Sequence, residues 1–237
     1  EYKKIEGIAF AFVTIGLGIG GFFGGFLAET SFKLPILLTI FAFSGSIITA
    51  LLLKEPSHHK KSGDREYFKH LKIAANFAYR HPKVKWLIVF SGFIMLVLLT
   101  GHKFYQPYMQ LIGIELKFFG VIYLVWLMIS SLGSWFAQDI EKKLGEKWSL
   151  LLITLFAGGH FLFIGNFVMF YGIFIIFAAE FAWGFLLPVI NDYINKHTES
   201  HHRATVLSLK GFFKSIVMII FSPLFGYFAD IITLPTA

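Results

Sequence analysis

Four charged side chains interrupt otherwise apolar stretches of this sequence: Lys103, Glu180, Lys210 and Lys214. A charge inside hydrocarbon costs about 3 kcal/mol or more unless it is paired or hydrated. Glu180 lies about 16 Å along a helix from the polar end of its stretch at Asn191, at about 1.5 Å of rise per residue. A carboxyl near mid-depth can bind and release a proton, or it can form a static ion pair with Lys214. The sequence permits both interpretations.

The lysines differ in the chemistry that they predict. Lys210 and Lys214 are one helical turn apart and share a face, which indicates water or a cavity beside them. Lys103 lies near the end of its stretch, on a stripe with Gln106. Its ammonium is predicted to reach the membrane surface along its own alkyl stem. Substrate binding by this stripe is the alternative.

The histidines offer little metal chemistry. His197, His201 and His202 have a metal-like spacing, but no arranged carboxylate or thiolate accompanies them, and the chain has no Cys. We therefore predict no metal site and no cofactor. His102 and His160 lie within apolar stretches, where a structural role is predicted for His160. The P-loop, G-x-S-x-G and H-E-x-x-H motifs are absent from the sequence, so we do not expect an enzyme.

Seven apolar stretches carry these residues, and each is about long enough to cross a bilayer. They cover residues 8–28, 34–53, 86–108, 117–138, 148–166, 168–190 and 204–229. The chain is 56% hydrophobic and only 15% charged, whereas an average soluble domain has roughly 25% charged residues. The composition therefore predicts an all-α, polytopic protein embedded in the lipid bilayer.

Basic residues predict the orientation. With the amino end inside, sixteen of the 21 Lys and Arg residues fall in inner segments and two, Lys33 and Lys117, in outer ones. This bias places the amino end and the long connection at residues 54–85 in the cytoplasm of a multi-pass cell-membrane protein. The formal net charge of +7 then faces an anionic inner leaflet, and no nucleic acid partner is predicted.

The long connection has a pattern of its own. From Arg65 to Arg80, apolar and basic side chains alternate at helical spacing. This pattern predicts an amphipathic helix on the inner membrane surface, or alternatively a helix that binds a partner. The connection divides the chain into two apolar stretches before it and five after it.

Glycines recur at a definite spacing in the first stretch: Gly7, Gly16, Gly20, Gly24 and Gly25. The spacing resembles the fifth-helix antiporter motif of the major facilitator superfamily, a glycine and eight residues followed by G-x-x-x-G-P-x-x-G-G. Gly21 stands where that motif has proline. Gly16, Gly20 and Gly24 share one helix face. They would allow close approach of a neighbouring helix, either as simple packing or as part of gating.

Two later segments continue the resemblance. Gly133, Asp139 and Gly145, with neighbouring lysines, resemble the superfamily's loop signature G-x-x-x-D-R-x-G-R-R, at altered spacing. That signature lies between the eighth and ninth helices. Arg203, a further signature residue, opens the string RATVLSL in a segment similar to the tenth and eleventh helices. The chain is thereby identified as a member of the superfamily, and we expect a fragment that spans helices five to eleven.

The resemblance implies a secondary transporter of the drug/proton-antiporter type, with two six-helix bundles and a solute site near the membrane midplane. Residues 1–53 would be the last two helices of the N-terminal bundle. Residues 54–85 would be the cytoplasmic central loop, and residues 86–237 would be five helices of the C-terminal bundle. The implied partners are a small-molecule solute, protons and the missing helices of the same chain.

The glycine motif implies proton-coupled export. Glu180 would carry the proton, because its stretch corresponds to the tenth helix, which lines the cavity of the family. Lys214, Lys103 and Gln106 would lie in the same cavity.

A retinal-binding receptor or pump is an alternative, with Lys214 as the Schiff base. The charge bias opposes it, because it puts the amino terminus inside, and no Asp lies in the middle of the third stretch. A non-transporting membrane sensor descended from the superfamily is a further alternative.

Overall fold

The computed structural model describes residues 2–53, 72–73 and 75–231, with side chains from residue 16 onward except at residues 201 and 230. This part of the chain forms seven long α-helices and a 3-10 turn at Ser200–His202, and it contains no strand. The helices are α1 (Tyr2–Thr30), α2 (Lys33–Leu52), α3 (Pro82–Leu111), α4 (Leu116–Trp135), α5 (Ala137–Asn166), α6 (Gly172–Lys196) and α7 (Arg203–Ile231).

Six of the described helices, α2 to α7, are long and apolar enough to cross a membrane. A span needs about 20 apolar residues because the hydrocarbon core of a bilayer is about 30 Å thick. Helix α1 has 29 residues and contains the first predicted stretch, but the side chains of residues 2–15 lie outside those described. The prediction of an all-α, polytopic membrane protein is confirmed.

The connection predicted before residue 148 is mostly helical. Helix α4 ends at Trp135 and α5 begins at Ala137, so residues 139–144 of the predicted connection are helical. The loop prediction is wrong because polar residues such as Glu141 are good helix formers outside the membrane. Gly145 interrupts α5 with φ 74° and ψ 173°, a conformation that favours glycine because it has no Cβ.

The amphipathic helix predicted from Arg65 to Arg80 is described only in part. Residues 72–73 and 75–80 are helical, and the remainder of that segment lies outside the described residues. Its end packs against the start of α7. The Phe77 ring stacks on His81 with 3.9 Å between ring centroids and lies 5.5 Å from the His202 ring.

The chain divides into two compact units. The first comprises Glu1–Lys61 with Met109–Met128, and the second comprises Ser62–Tyr108 with Ile129–Ala237. In the first unit, α1 and α2 form a helical hairpin with a two-residue connection.

Helix α6 lies at the centre of the second unit, where it packs on α4, α5 and α7. Two glycines bring the backbones of α4 and α6 into contact. A Cβ on Gly184 would lie 1.8 Å from the carbonyl oxygen of Ser130, and one on Gly133 would lie 2.2 Å from that of Phe181. Gly133, the first residue of the predicted loop signature, lies inside α4, where its missing side chain permits this contact.

Glycines also join α1 to α4 within the first unit. A Cβ on Gly25 would lie 2.9 Å from the backbone nitrogen of Gly120, and one on Gly21 would lie 2.5 Å from the Tyr123 ring. Among the described residues, no neighbour lies within 4 Å of a Cβ placed on Gly16, Gly20 or Gly24. The contact face is therefore turned about 100° from the predicted stripe, which is the rotation between successive helix residues.

Substituting these glycines by alanine tests which face packs. Gly25→Ala should lower the free energy of unfolding by about 1 to 3 kcal/mol, because its methyl group would overlap the backbone of Gly120. Gly24→Ala is the matched control on the same helix, and its stability should stay near that of the wild type. Melting temperatures of the purified protein in detergent provide the measurement. A larger loss of stability for Gly24→Ala than for Gly25→Ala would show that the predicted stripe is the packing face.

Candidate functional site

Glu180 and His102 face each other within the second unit. Glu180 lies on α6 with 0% of its surface exposed, and His102 lies on α3. Glu180 Oε1 is 2.8 Å from His102 Nε2, the separation of an ion pair when the imidazole is protonated. A fully buried carboxyl therefore has a titratable partner on a different helix.

Aromatic rings enclose this pair. The centroid of the His102 ring lies 5.6 Å from that of Tyr105 and 5.2 Å from that of Trp183. Tyr105 is itself completely buried. Rings of this kind lower the local dielectric, which strengthens the attraction between an imidazolium and a carboxylate. Glu180 is completely buried, whereas 23% of the His102 side chain is exposed, so the pair is open on the histidine side.

His160 joins the cluster from α5. It is buried, and its Nδ1 lies 3.1 Å from the carbonyl oxygen of Phe156. A carbonyl oxygen only accepts, so Nδ1 carries the hydrogen and Nε2 presents a lone pair when the ring is neutral. Gly101 makes room for the ring, because a Cβ there would lie 2.6 Å from Nε2 and 3.1 Å from the Tyr105 hydroxyl oxygen. Three helices thus bring together a carboxyl, two imidazoles and a phenol.

Lys103 and Gln106 lie away from this cluster. Both are exposed, and Lys103 Nζ donates a hydrogen bond of 3.0 Å to Ser222 Oγ on α7. Lys103 follows His102 directly in the chain, so it points about 100° away around α3. The structure does not bring these two predicted cavity residues together with Glu180.

Lys214 lies beside a different feature. It lines a cavity of about 170 Å³ together with Lys210, and Lys210 Nζ donates a hydrogen bond to Asn191 Oδ1. The sequence suggested Lys214 as the ion-pair partner of Glu180, whereas the structure places His102 at hydrogen-bonding distance from that carboxyl.

The other signature residues have separate positions. Asp139 is exposed near the start of α5, and Gly145 forms the interruption of that helix. Arg203 is the first residue of α7, and its Nε donates a 3.2 Å hydrogen bond to the carbonyl oxygen of Thr198. Arg203 therefore closes the connection between α6 and α7.

A polar contact also joins the start of α5 to the end of α6, where the Tyr193 hydroxyl donates to Glu141 Oε1 at 3.0 Å. Within α6, Lys196 Nζ lies 2.6 Å from Asp192 Oδ2. Glu141, Asp192 and Lys196 border a cavity of about 400 Å³. The Lys196 pair is half exposed, so its contribution to stability is small. Sequence reasoning missed this group because the segment had been assigned to a loop.

The described loop histidines make contacts of other kinds. His197 Nε2 lies 3.5 Å from Lys83 Nζ, and Lys83 Nζ lies 3.6 Å from Glu146 Oε2. Within the part of the chain that the structure describes, no group of three or more His, Asp and Glu side chains is placed to hold a metal ion.

Sequence reasoning gave His160 a structural role and did not assign it or Tyr105 to the site. One usable signal was the spacing of Gly101, Tyr105 and Tyr108, which follows the i, i+4, i+7 pattern of a buried helix face. All three are buried. That face of α3 could have been proposed as the one directed at other helices.

Comparison with protein families now adds to this geometry. The chain matches the family model of the Major Facilitator Superfamily over residues 2–223, and it belongs to that superfamily. Searches of curated proteins and of solved structures give no match. The protein is thus a multi-pass membrane transporter that moves a solute, and membership points away from an enzymatic role.

A double-mutant cycle tests the pairing of Glu180. Glu180→Gln and His102→Ala should show a coupling energy of about 1 to 3 kcal/mol, because the residues are in contact. The matched cycle of Glu180→Gln with Lys214→Met should be additive within about 0.5 kcal/mol. Reversible unfolding in mixed micelles, followed by tryptophan fluorescence, gives the free energies. Stronger coupling to Lys214 than to His102 would contradict the geometry.

Proposed function

We propose that the protein is a proton-coupled exporter in which Glu180 carries the proton and His102 stabilises its charged form. The observation that supports this function is the 2.8 Å contact between a completely buried carboxylate oxygen and an imidazole nitrogen on another helix. Intramembrane carboxyl and imidazole groups recur in proton relays of pumps and transporters.

The proton count of the pair explains how it would work. With one proton shared, the pair is neutral overall, either as carboxylate and imidazolium or as carboxylic acid and imidazole. Adding or removing a proton leaves one net charge in an apolar place, which is unfavourable unless water or another charge compensates. Proton exchange would therefore accompany a conformational change that admits water or solute.

The rings beside His102 bear on how the pair would open for proton exchange. Tyr105 and Trp183 flank His102, and movement of α3 relative to α6 would separate His102 from Glu180. Alternating access supplies movements of this kind, because helices of a bundle rock around the solute site. His160 Nε2 and the Tyr105 hydroxyl both border the space beside Gly101. The lone pair on His160 Nε2 would be the neighbouring proton acceptor.

Export as the direction is proposed from the glycine pattern of α1, which resembles the antiporter motif in five positions and lacks its proline at Gly21. In the same proposal, residues 1–53 belong to the N-terminal bundle and residues 86–237 to the C-terminal bundle. The chain would then contain helices five to eleven of the transporter.

Glu180→Gln separates coupling from transport. A neutral amide mimics the protonated carboxyl permanently, so the variant should lose gradient-driven solute movement and retain solute exchange down its own gradient. Flux assays on the full-length protein in proteoliposomes, with and without a pH gradient, give both quantities. Gln110→Ala, an exposed position on α3, is the control and should keep both. Gradient-driven flux at the wild-type level in Glu180→Gln would remove Glu180 from the mechanism.

Cysteine labelling tests the proposed orientation, and the chain has no Cys of its own to give background. Single cysteines at Lys33, Lys117 and Asn166 should react with an impermeant thiol reagent added outside sealed cells. Cysteines at Lys143 and Lys196 should react only after the cells are opened, because basic segments stay in the cytoplasm. Labelling of the Lys143 and Lys196 positions from outside would show that the proposed orientation is wrong.

A further inference from the structure

A small cavity with two lysines lies between α3, α6 and α7 in the second unit. Its volume is about 170 Å³. Apolar and small side chains form most of the wall, and two ammonium groups supply charge. The lining residues are Ser91, Met95, Leu186, Leu187, Ile190, Lys210, Gly211 and Lys214.

The two ammonium groups find no counter-ion in the wall. Lys210 Nζ donates to the neutral amide of Asn191, and among the described residues neither Lys210 nor Lys214 forms an ion pair with a carboxylate. Two like charges one turn apart on α7 repel each other, and both lose hydration beside apolar side chains. An anion between them would reduce both costs.

The wall also limits which groups can donate to a ligand. Ser91 Oγ donates its hydrogen to the carbonyl oxygen of Ile88 at 3.0 Å, so that hydrogen is already engaged. The lysine ammonium groups are the charged donors, and the two oxygens of a carboxylate can accept from both. Met95, Leu186 and Ile190 form an apolar surface that suits the hydrocarbon part of a ligand.

We propose that this cavity binds the carboxylate of a small amphipathic organic acid, with Lys210 and Lys214 as its charge partners. The inference rests on the proposed function as a solute transporter and names the class of its substrate. Asn191 positions the Lys210 ammonium, so Lys210 is the fixed partner. Lys214 completes the contact from the next turn of α7, and the hydrocarbon part packs on the apolar wall.

Binding of benzoate to the purified full-length protein tests this site, with benzamide and benzylammonium as neutral and cationic analogues of similar size. Isothermal titration calorimetry should detect benzoate. The two analogues should bind about tenfold more weakly or worse, because they lack the charge that the lysines stabilise. Lys210→Gln and Lys214→Gln should each weaken benzoate binding by about tenfold or more, whereas Lys214→Arg should retain most of it.

Lys147→Gln is the matched control, since it changes an exposed lysine on α5 that is not part of the cavity. It should bind benzoate as the wild type does. Equal binding of benzoate and benzamide by the wild type would overturn the proposal, and so would undiminished benzoate binding in both glutamine variants. If a glutamine variant does not fold, the comparison of benzoate with its two analogues on the wild type still tests whether the protein selects a carboxylate.

The test also separates this site from proton coupling. Glu180→Gln should still prefer benzoate to benzamide, because Glu180 does not line the cavity. Benzoate binding by a wild-type protein that shows no proton-coupled flux would overturn the coupling proposal and support the carboxylate site. Proton-coupled flux of another solute, with no benzoate binding, would overturn the carboxylate site alone.

Discussion

The close approach of α4 and α6 is the contact on which the arrangement of the second unit depends. At Gly133 and Gly184 the two backbones lie so near that a single methyl group would overlap a carbonyl oxygen. Helices in lipid gain little from hiding apolar surface, so their association relies on dense packing of this kind. The contact also limits the rotation of α6. Glu180 precedes Gly184 by four residues and lies near the same face, so this rotation decides which helix its carboxyl meets.

The contacts of polar side chains in the second unit follow from the absence of water in a bilayer. A buried polar group must find its hydrogen bonds inside the protein, and this requirement makes its contacts specific. Glu180 meets His102 across α6 and α3. The Tyr108 hydroxyl lies 2.8 Å from the carbonyl oxygen of Phe167 and ties α3 to the connection between α5 and α6. Gly172 leaves the space that the Tyr108 hydroxyl occupies. Polar contacts thus determine how α3 sits against its neighbours.

Hydropathy and length were sufficient to predict the membrane helices, because bilayer thickness imposes the same requirement on every span. The same reasoning predicts that Glu180 lies near mid-depth, from its distance to the polar end of its stretch. Its partner His102 depends on the rotation and depth of two helices, and those are determined by packing rather than by periodicity. The glycine face of α1 was misjudged for a related reason. The spacing of Gly16, Gly20 and Gly24 gives a period, but it does not reveal that α4 contacts the adjoining face at Gly21 and Gly25.

Helices α3 and α6 contribute to both the buried pair and the lysine cavity. Along α6, Glu180 is separated from Leu186 and Ile190 by about 9 to 15 Å of helix rise, and along α3, His102 lies about 10 Å from Met95. A tilt of either rigid helix would alter the pair and the cavity together. A ligand shifts such an equilibrium only by its difference in affinity between the two arrangements. The proposed anion, held by α7 and enclosed by α3 and α6, would have this difference, because it would be fully contacted only when the three helices are close. Solute binding and proton binding would then be linked through helix positions, without contact between solute and carboxyl.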